Sequence, residues 1–168
     1  MVEQSSYISP VAGQPETAMR HRILIFAGVV LGANLQTLDT TMATVALPRI
    51  QGALSATQDE IAWVLAAYLI AVAVVMPLIG TLTGLLGRKR LFLISVVGFC
   101  IASVFTGSAE SLQEIVFYRF LQGVFASSFT PISQSFVFDA YPPEQRAKAM
   151  GWWTLGVMAG IVLGPALG

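Results

Sequence analysis

Five long apolar stretches make up most of this chain, at residues 23–47, 61–86, 91–107, 112–138 and 150–168. A helix needs about 20 residues to cross the roughly 30 Å hydrocarbon core of a bilayer. Lipid offers no water to unpaired backbone groups, so a chain of this kind must span as helices. The expected fold is all-α, a membrane protein with five transmembrane helices. Composition agrees: 55% of residues are hydrophobic and 11% charged, against about 25% charged in an ordinary soluble domain. The nine basic and nine acidic residues cancel and give no pointer to nucleic acid, which is not an expected partner.

The first 19 residues contain Ser5, Ser6, Ser9, Pro10, Gly13 and Pro15 and lack apolar periodicity, so they are expected to form a disordered tail. The basic cluster from Arg20 to Arg22 comes late, and the apolar run after it outlasts the core of a secretory signal. The first span is therefore expected to persist in the mature protein. Basic residues alternate between connections. Arg20 and Arg22 precede span one, Arg88, Lys89 and Arg90 lie between spans two and three, and Arg146 and Lys148 lie between spans four and five. The other two connections carry Arg49 with Asp59, Glu60 and Glu110. By the positive-inside rule the N-terminus is cytoplasmic.

Trp152 and Trp153 at the start of span five, and Trp63 and Tyr118 toward the other face, are expected at the two interfaces. Pro77 and Pro131 fall inside spans two and four and should kink them. Pro48 is read as the natural end of span one. The single cysteine, Cys100, can form neither an internal disulfide nor a metal site and is expected to pack. His21 has no nucleophile or metal partner in the local sequence and belongs with the basic flank; neither an enzyme, a metal nor a cofactor is expected.

Two charged side chains lie well inside the spans, Asp39 in span one and Arg119 in span four. Each costs roughly 2.5–3.5 kcal/mol at mid-membrane on insertion scales. Counting from Leu47 and Leu112, at about 1.5 Å per residue, they sit about 12 Å and about 10 Å below the same surface. If the helices are neighbours, a direct or water-bridged pair is expected, cheaper than two isolated charges. The competing readings are a helix cap for Asp39 and snorkelling to headgroups for Arg119. Gln122, one turn further in, with Ser127 and Gln134, favours a polar interior face.

Span five carries Gly156, Gly160, Gly164 with Pro165, and Gly168, a glycine on every fourth residue of one face. Small residues at this spacing let helix backbones approach closely. A seal or hinge between transporter halves would build on such a contact.

Taken in order, these residues resemble the major facilitator superfamily, and within it the fourteen-span drug:proton antiporters of the EmrB/QacA type. Leu38-Asp39-Thr40-Thr41-Met42-Ala43-Thr44-Val45-Ala46-Leu47-Pro48 is similar to the subfamily pattern L-D-x-T-x-x-x-V-A-L-P. Gly80-Thr81-Leu82-Thr83-Gly84-Leu85-Leu86-Gly87-Arg88-Lys89 resembles the loop G-x-L-a-D-r-x-G-r-k. Arg119-Phe120-Leu121-Gln122-Gly123 resembles R-x-x-Q-G, and Gly160-Ile161-Val162-Leu163-Gly164-Pro165-Ala166-Leu167-Gly168 resembles the antiporter motif G-x-x-x-G-P-x-x-G. Pro131-Ile132-Ser133-Gln134-Ser135, and Tyr141-Pro142-Pro143 with Arg146, add to the likeness within the subfamily.

The resemblance implies an inner-membrane exporter of drugs or other amphipathic compounds by proton antiport. Asp39, Arg119 and Gln122 would be the coupling residues, Gly80, Gly84, Gly87 and Arg88 the gating loop, and the glycines with Pro165 the helix-packing motif. It also implies a periplasmic adaptor and an outer-membrane channel as partners if the source is Gram-negative. There are two departures. Gly84 stands where the loop normally has an acid, which removes one member of its charge relay. The chain has five spans where the superfamily is built from six-span halves, so residues 20–168 are expected to be part of an N-terminal membrane domain. A metabolite facilitator or symporter on the same scaffold, or a membrane scaffold without transport, are the alternatives.

Overall fold

In the computed structural model, the backbone is described over residues 14–167 and side chains over 23–24 and 26–162. The described residues form seven α-helices: α1 (Gln14–Leu54), α2 (Gln58–Val75), α3 (Ile79–Leu86), α4 (Arg88–Gly107), α5 (Leu112–Ala126), α6 (Phe129–Ala140) and α7 (Pro143–Leu167). Two pairs are single spans with a defect inside, α2 with α3 and α5 with α6, so the bundle has five rods. The tail expected over the first 19 residues is helical from Gln14 onward, and residues 1–13 and Gly168 lie outside the described part. Arg20, His21 and Arg22 are described only as helical backbone.

The defects follow proline chemistry. Pro77 lies in a short 3-10 turn, Met76–Leu78, between α2 and α3. In span four the break falls at Ser127 and Ser128 rather than at Pro131 itself. The proline ring clashes with the carbonyl four residues back, that of Ser127, and cannot donate to it. The two serine hydroxyls turn instead onto the carbonyls of Val124 (2.7 Å) and Phe125 (3.2 Å).

Pro48 does not end span one, contrary to the sequence expectation. α1 continues through it to Leu54, because Leu47, Ile50 and Leu54 pack on Ile61, Val64 and Ile115. The stop comes at Ser55, whose φ of 50° is left-handed, and Ala56 N–H closes the end on the Gln51 carbonyl at 3.1 Å. α2 then starts in a reciprocal cap. The Thr57 hydroxyl accepts from Glu60 N–H, and the Glu60 carboxylate accepts from Thr57 N–H at 2.9 Å. Ser111 caps α5 by accepting from Glu114 N–H. Gly87, at φ 79°, makes the tight turn from α3 into α4, so the basic triplet from Arg88 to Arg90 forms the first turn of α4 and not a loop.

α2 packs on α5, α1 on α6 and α7, and α4 on α5. Four apolar clusters fill the bundle from end to end. Ile61, Val64 and Ile115 lie at the Glu60 end; Tyr68, Phe99, Ala126 and Phe129 follow; Ile79, Leu91 and Ile132 lie toward the Arg88 end. Val29, Ala33, Val137, Ala149 and Trp153 join α1, α6 and α7. Trp153 is thus a core residue rather than an interfacial one, while Trp152 and Trp63 are exposed. Cys100, expected to pack, is exposed too. Leu31, Val74, Leu85, Val104 and Val162 are among many large apolar side chains left uncovered by protein; in a membrane, acyl chains cover such faces.

Candidate functional site

The middle of the bundle holds a polar cluster drawn from three helices. Asp39 lies inside α1, far from either end, which removes the helix-cap reading. Its Oδ2 accepts a hydrogen bond from Arg119 Nη1 at 2.6 Å, and its Oδ1 accepts from Gln122 Nε2 at 3.2 Å. Arg119 is 8% exposed and Gln122 1%, so Arg119 turns into the bundle and does not snorkel outward. The matching depths read from the sequence therefore correspond to a direct ion pair.

Gln122 is the hub. Its amide nitrogen also donates to Ser103 Oγ at 2.6 Å, and its carbonyl oxygen accepts from Thr106 Oγ1 at 3.2 Å, which brings in α4. Charges withdrawn from water are costly unless paired and hydrogen-bonded, and this cluster supplies both to the half-buried Asp39 carboxylate. Close approach of α2 to α5 makes the arrangement possible. A side chain at Gly123 would collide with the backbone carbonyl of Tyr68 and with Ala71, so only glycine fits directly beside Gln122. Two buried polar groups nearby have no partner, the Tyr68 hydroxyl and Arg119 Nε.

The glycine face of α7 meets α1. A Cβ at Gly156 would press on Val30, and one at Gly160 would collide with the Asn34 side-chain oxygen. Asn34 Nδ2 donates to the Gly156 carbonyl at 3.0 Å and to the Val30 carbonyl at 2.9 Å. Asn34 was not singled out from the sequence, although an amide inside an apolar span is a signal in itself. Gly164 and Pro165 are described only as helical backbone, and Gly168 lies outside the described residues.

At the Arg88 end, Gly80 and Gly84 face open space. Arg88 forms an ion pair with Asp139 at the end of α6. Asp139 was missed in the sequence, yet it carried a signal. An acid at a helix C-terminus and a base at a helix N-terminus both oppose the helix dipole, and here each misplaced charge answers the other. Arg146 was read as a topology charge and, with Tyr141-Pro142-Pro143, as part of the family likeness. Its Nε donates to the carbonyls of Phe138 (3.1 Å) and Tyr141 (3.2 Å), closing the end of α6.

The sequence profile of the Major Facilitator Superfamily matches residues 29–168. The chain belongs to this superfamily. Among its relatives it is 36% identical over 146 residues to the multidrug export protein EmrB of Haemophilus influenzae, covering 87% of this chain and 29% of that protein. It is 41% identical over 138 residues to the fatty acid resistance protein FarB of Neisseria gonorrhoeae, covering 82% and 27%. It is 38% identical over 138 residues to the probable multidrug resistance protein EmrY of Escherichia coli, again covering 82% and 27%. The chain therefore spans less than a third of the length of these superfamily relatives. Membership makes it part of a multi-pass membrane transporter family, in which the Asp39 cluster lies within the matched region.

Proposed function

We propose that the transporter containing this chain exports amphipathic compounds in exchange for protons, with the Asp39 carboxylate as the group that takes up and releases the proton. The observation that carries this reading is the buried Asp39–Arg119–Gln122 constellation. While Arg119 and Gln122 both hold it, each oxygen of the carboxylate is engaged by a donor. A helix movement that draws α1 away from α5 removes both donors and invites a proton. Substrate arriving with its own positive charge would compete for the same carboxylate, which makes the exchange obligatory.

The names of the relatives, multidrug export and fatty acid resistance, support an amphipathic cargo. The N-terminus is assigned to the cytoplasm and the Arg88–Asp139 pair to the cytoplasmic end of the bundle, on the distribution of basic residues. There Gly80, Gly84, Gly87 and Arg88 form the gating turn, with Asp139 answering Arg88 although Gly84 has replaced the usual acid. Gly156 and Gly160 make the close contact of span five with span one, and Gly164, Pro165 and Gly168 are assigned to the same helix-packing motif on their spacing. A periplasmic adaptor and an outer-membrane channel are the partners assigned in a Gram-negative source.

The test uses the full-length transporter in energised inside-out vesicles, with wild type and Asp39→Asn present at equal amounts. Drug addition should collapse the proton gradient in wild type and leave it intact in the variant. Equal collapse in both would remove Asp39 from the coupling role, and none in either would remove antiport.

A further inference from the structure

Both hydrogen-bond partners of Asp39 are donors. Arg119 Nη1 faces Oδ2 at 2.6 Å, and Gln122 Nε2 faces Oδ1 at 3.2 Å. That arrangement suits a carboxylate, which accepts and cannot donate. A carboxyl that takes up and releases a proton meets the same partners in its neutral form as well, and the neutral form carries an O–H. A buried donor without an acceptor bears the full cost of its desolvation.

Of the two partners, only one can change sides. A guanidinium has five N–H donors and no acceptor, so Arg119 cannot. Gln122 ends in an amide with an acceptor oxygen and a donor nitrogen, and a half-turn about its Cγ–Cδ bond exchanges their positions. Gln122 is 1% exposed, so the groups that serve it in either orientation must come from the protein.

Helix α4 supplies them. Gln122 Nε2 donates to Ser103 Oγ at 2.6 Å, and Thr106 Oγ1 donates to Gln122 Oε1 at 3.2 Å. Ser103 and Thr106 stand three residues apart, on one face of α4. Both are hydroxyls, which donate or accept as the hydrogen rotates. The Thr106 hydrogen has a second acceptor already in place, the Ala102 carbonyl at 2.9 Å.

We propose that the Gln122 amide turns over when Asp39 takes its proton, with Ser103 and Thr106 as the positioning residues that hold it in both orientations. With the carboxylate ionised, Nε2 donates to Asp39 Oδ1 and to Ser103, and Thr106 donates to Oε1. With the amide turned, Oε1 stands where Nε2 stood. One of its lone pairs accepts from the new Asp39 Oδ1–H and the other from the Ser103 hydroxyl. Nε2 then donates to Thr106 Oγ1, whose hydrogen points to the Ala102 carbonyl. Arg119 keeps its bond to Oδ2 throughout. Neither arrangement sets donor against donor. The covalent change is a single O–H bond, formed at Oδ1 with a proton from the water phase and broken on its return. The charged and titratable groups around Asp39 are Arg119 of α5 and, on α2, the Tyr68 hydroxyl, which lies beside Gln36 and Thr40 of α1; the α4 residues of the cluster are uncharged.

This inference rests on Asp39 being the proton site, and the experiment keeps the two claims apart. Full-length transporter, isotope-labelled at the side-chain carbonyl carbon of glutamine, is reconstituted in liposomes. Infrared difference spectra between high and low pH are recorded for wild type, Gln122→Met, Thr106→Val, Thr106→Ser and Asp39→Asn. The carboxylic acid C=O band marks protonation, and the labelled amide C=O band, assigned by its loss in Gln122→Met, marks the turn. In wild type the two should change with one pH midpoint. The amide band should move to lower frequency, because Oε1 exchanges one 3.2 Å bond for two, one of them at the 2.6 Å Ser103 position. Thr106→Val removes the acceptor for the turned N–H and should cut the amide change at a given pH by about two- to tenfold, as for the loss of one hydrogen bond. Thr106→Ser should restore it. No amide change in wild type, or an undiminished one in Thr106→Val, with the acid band lost in Asp39→Asn, would overturn the switch alone. An acid band that persists unchanged in Asp39→Asn would overturn the proton site and the switch with it.

Discussion

The bundle contains two arginine–aspartate pairs in opposite settings. Asp39 and Arg119 meet in the middle of the bundle, with side chains 17% and 9% exposed, and share Gln122, Ser103 and Thr106 as a network. Arg88 and Asp139 meet at one end, with side chains 41% and 61% exposed. The contact chemistry is the same and the consequences differ. A buried pair is held in place by the cost of exposing either charge alone to an apolar interior. A surface pair gives each charge the option of water. The inner pair is therefore an all-or-none unit, suited to a step in which protonation and movement must coincide, whereas the outer pair is a weak latch that opens easily.

Removing one partner from each pair should separate them most clearly. Arg119→Leu leaves an uncompensated carboxylate and is expected to cost about 3–5 kcal/mol, read as a large fall in the unfolding midpoint of the full-length protein in mild detergent, or as failure to accumulate. Arg88→Leu should stay within about 1 kcal/mol. Equal losses would erase the distinction.

Backbone packing around the two pairs should follow the same order. Gly123→Ala drives a Cβ into the Tyr68 carbonyl beside the inner network and is expected to cost about 1–3 kcal/mol by overpacking. Gly84→Ala, next to the outer pair, meets nothing and should fall within about 0.5 kcal/mol. The contact of α1 with α7 lies between these extremes. Asn34→Leu removes the bond to the Gly156 carbonyl and is expected to cost about 0.6–1.7 kcal/mol, the range for side-chain hydrogen bonds between membrane helices. The smallest effect is that of salt. Raising ionic strength to about 1 M shortens the screening length to about 3 Å, so the cost of Arg88→Gln should vanish while that of Arg119→Gln persists.

Much of the inner region was legible from the sequence. A charge inside an apolar run has so few physical explanations that matching depth alone paired Asp39 with Arg119, and Gln122 one turn along completed the set. The outer region was less so. Asp139 lies just past an apolar run, where a charge costs little and draws no notice, and its opposition to the helix dipole becomes telling only once α6 is known to end at Ala140. Element ends were misjudged for related reasons. Pro48 has the local chemistry of a stop, but packing of Ile50 and Leu54 on α2 and α5 outweighs it. Pro131 acts four residues upstream of itself, at a serine pair with no apolar signal. Tyr68 stayed hidden because a tyrosine in a span is unremarkable until its neighbours are known, whereas the Asn34 amide carried a signal whose partner, a backbone carbonyl of α7, has no mark in the sequence.

The most direct test of the central claim, that Asp39 and Arg119 form one buried unit, is a double-mutant cycle on the full-length transporter. Unfolding free energies would be measured for wild type, Asp39→Asn, Arg119→Gln and the double variant. Each single variant strands one buried charge and the double strands none, so the double should be less destabilised than the sum of the singles, with a coupling of about 1–3 kcal/mol. Additive losses, with coupling below about 0.5 kcal/mol, would contradict a direct pair and with it the coupling role built on it.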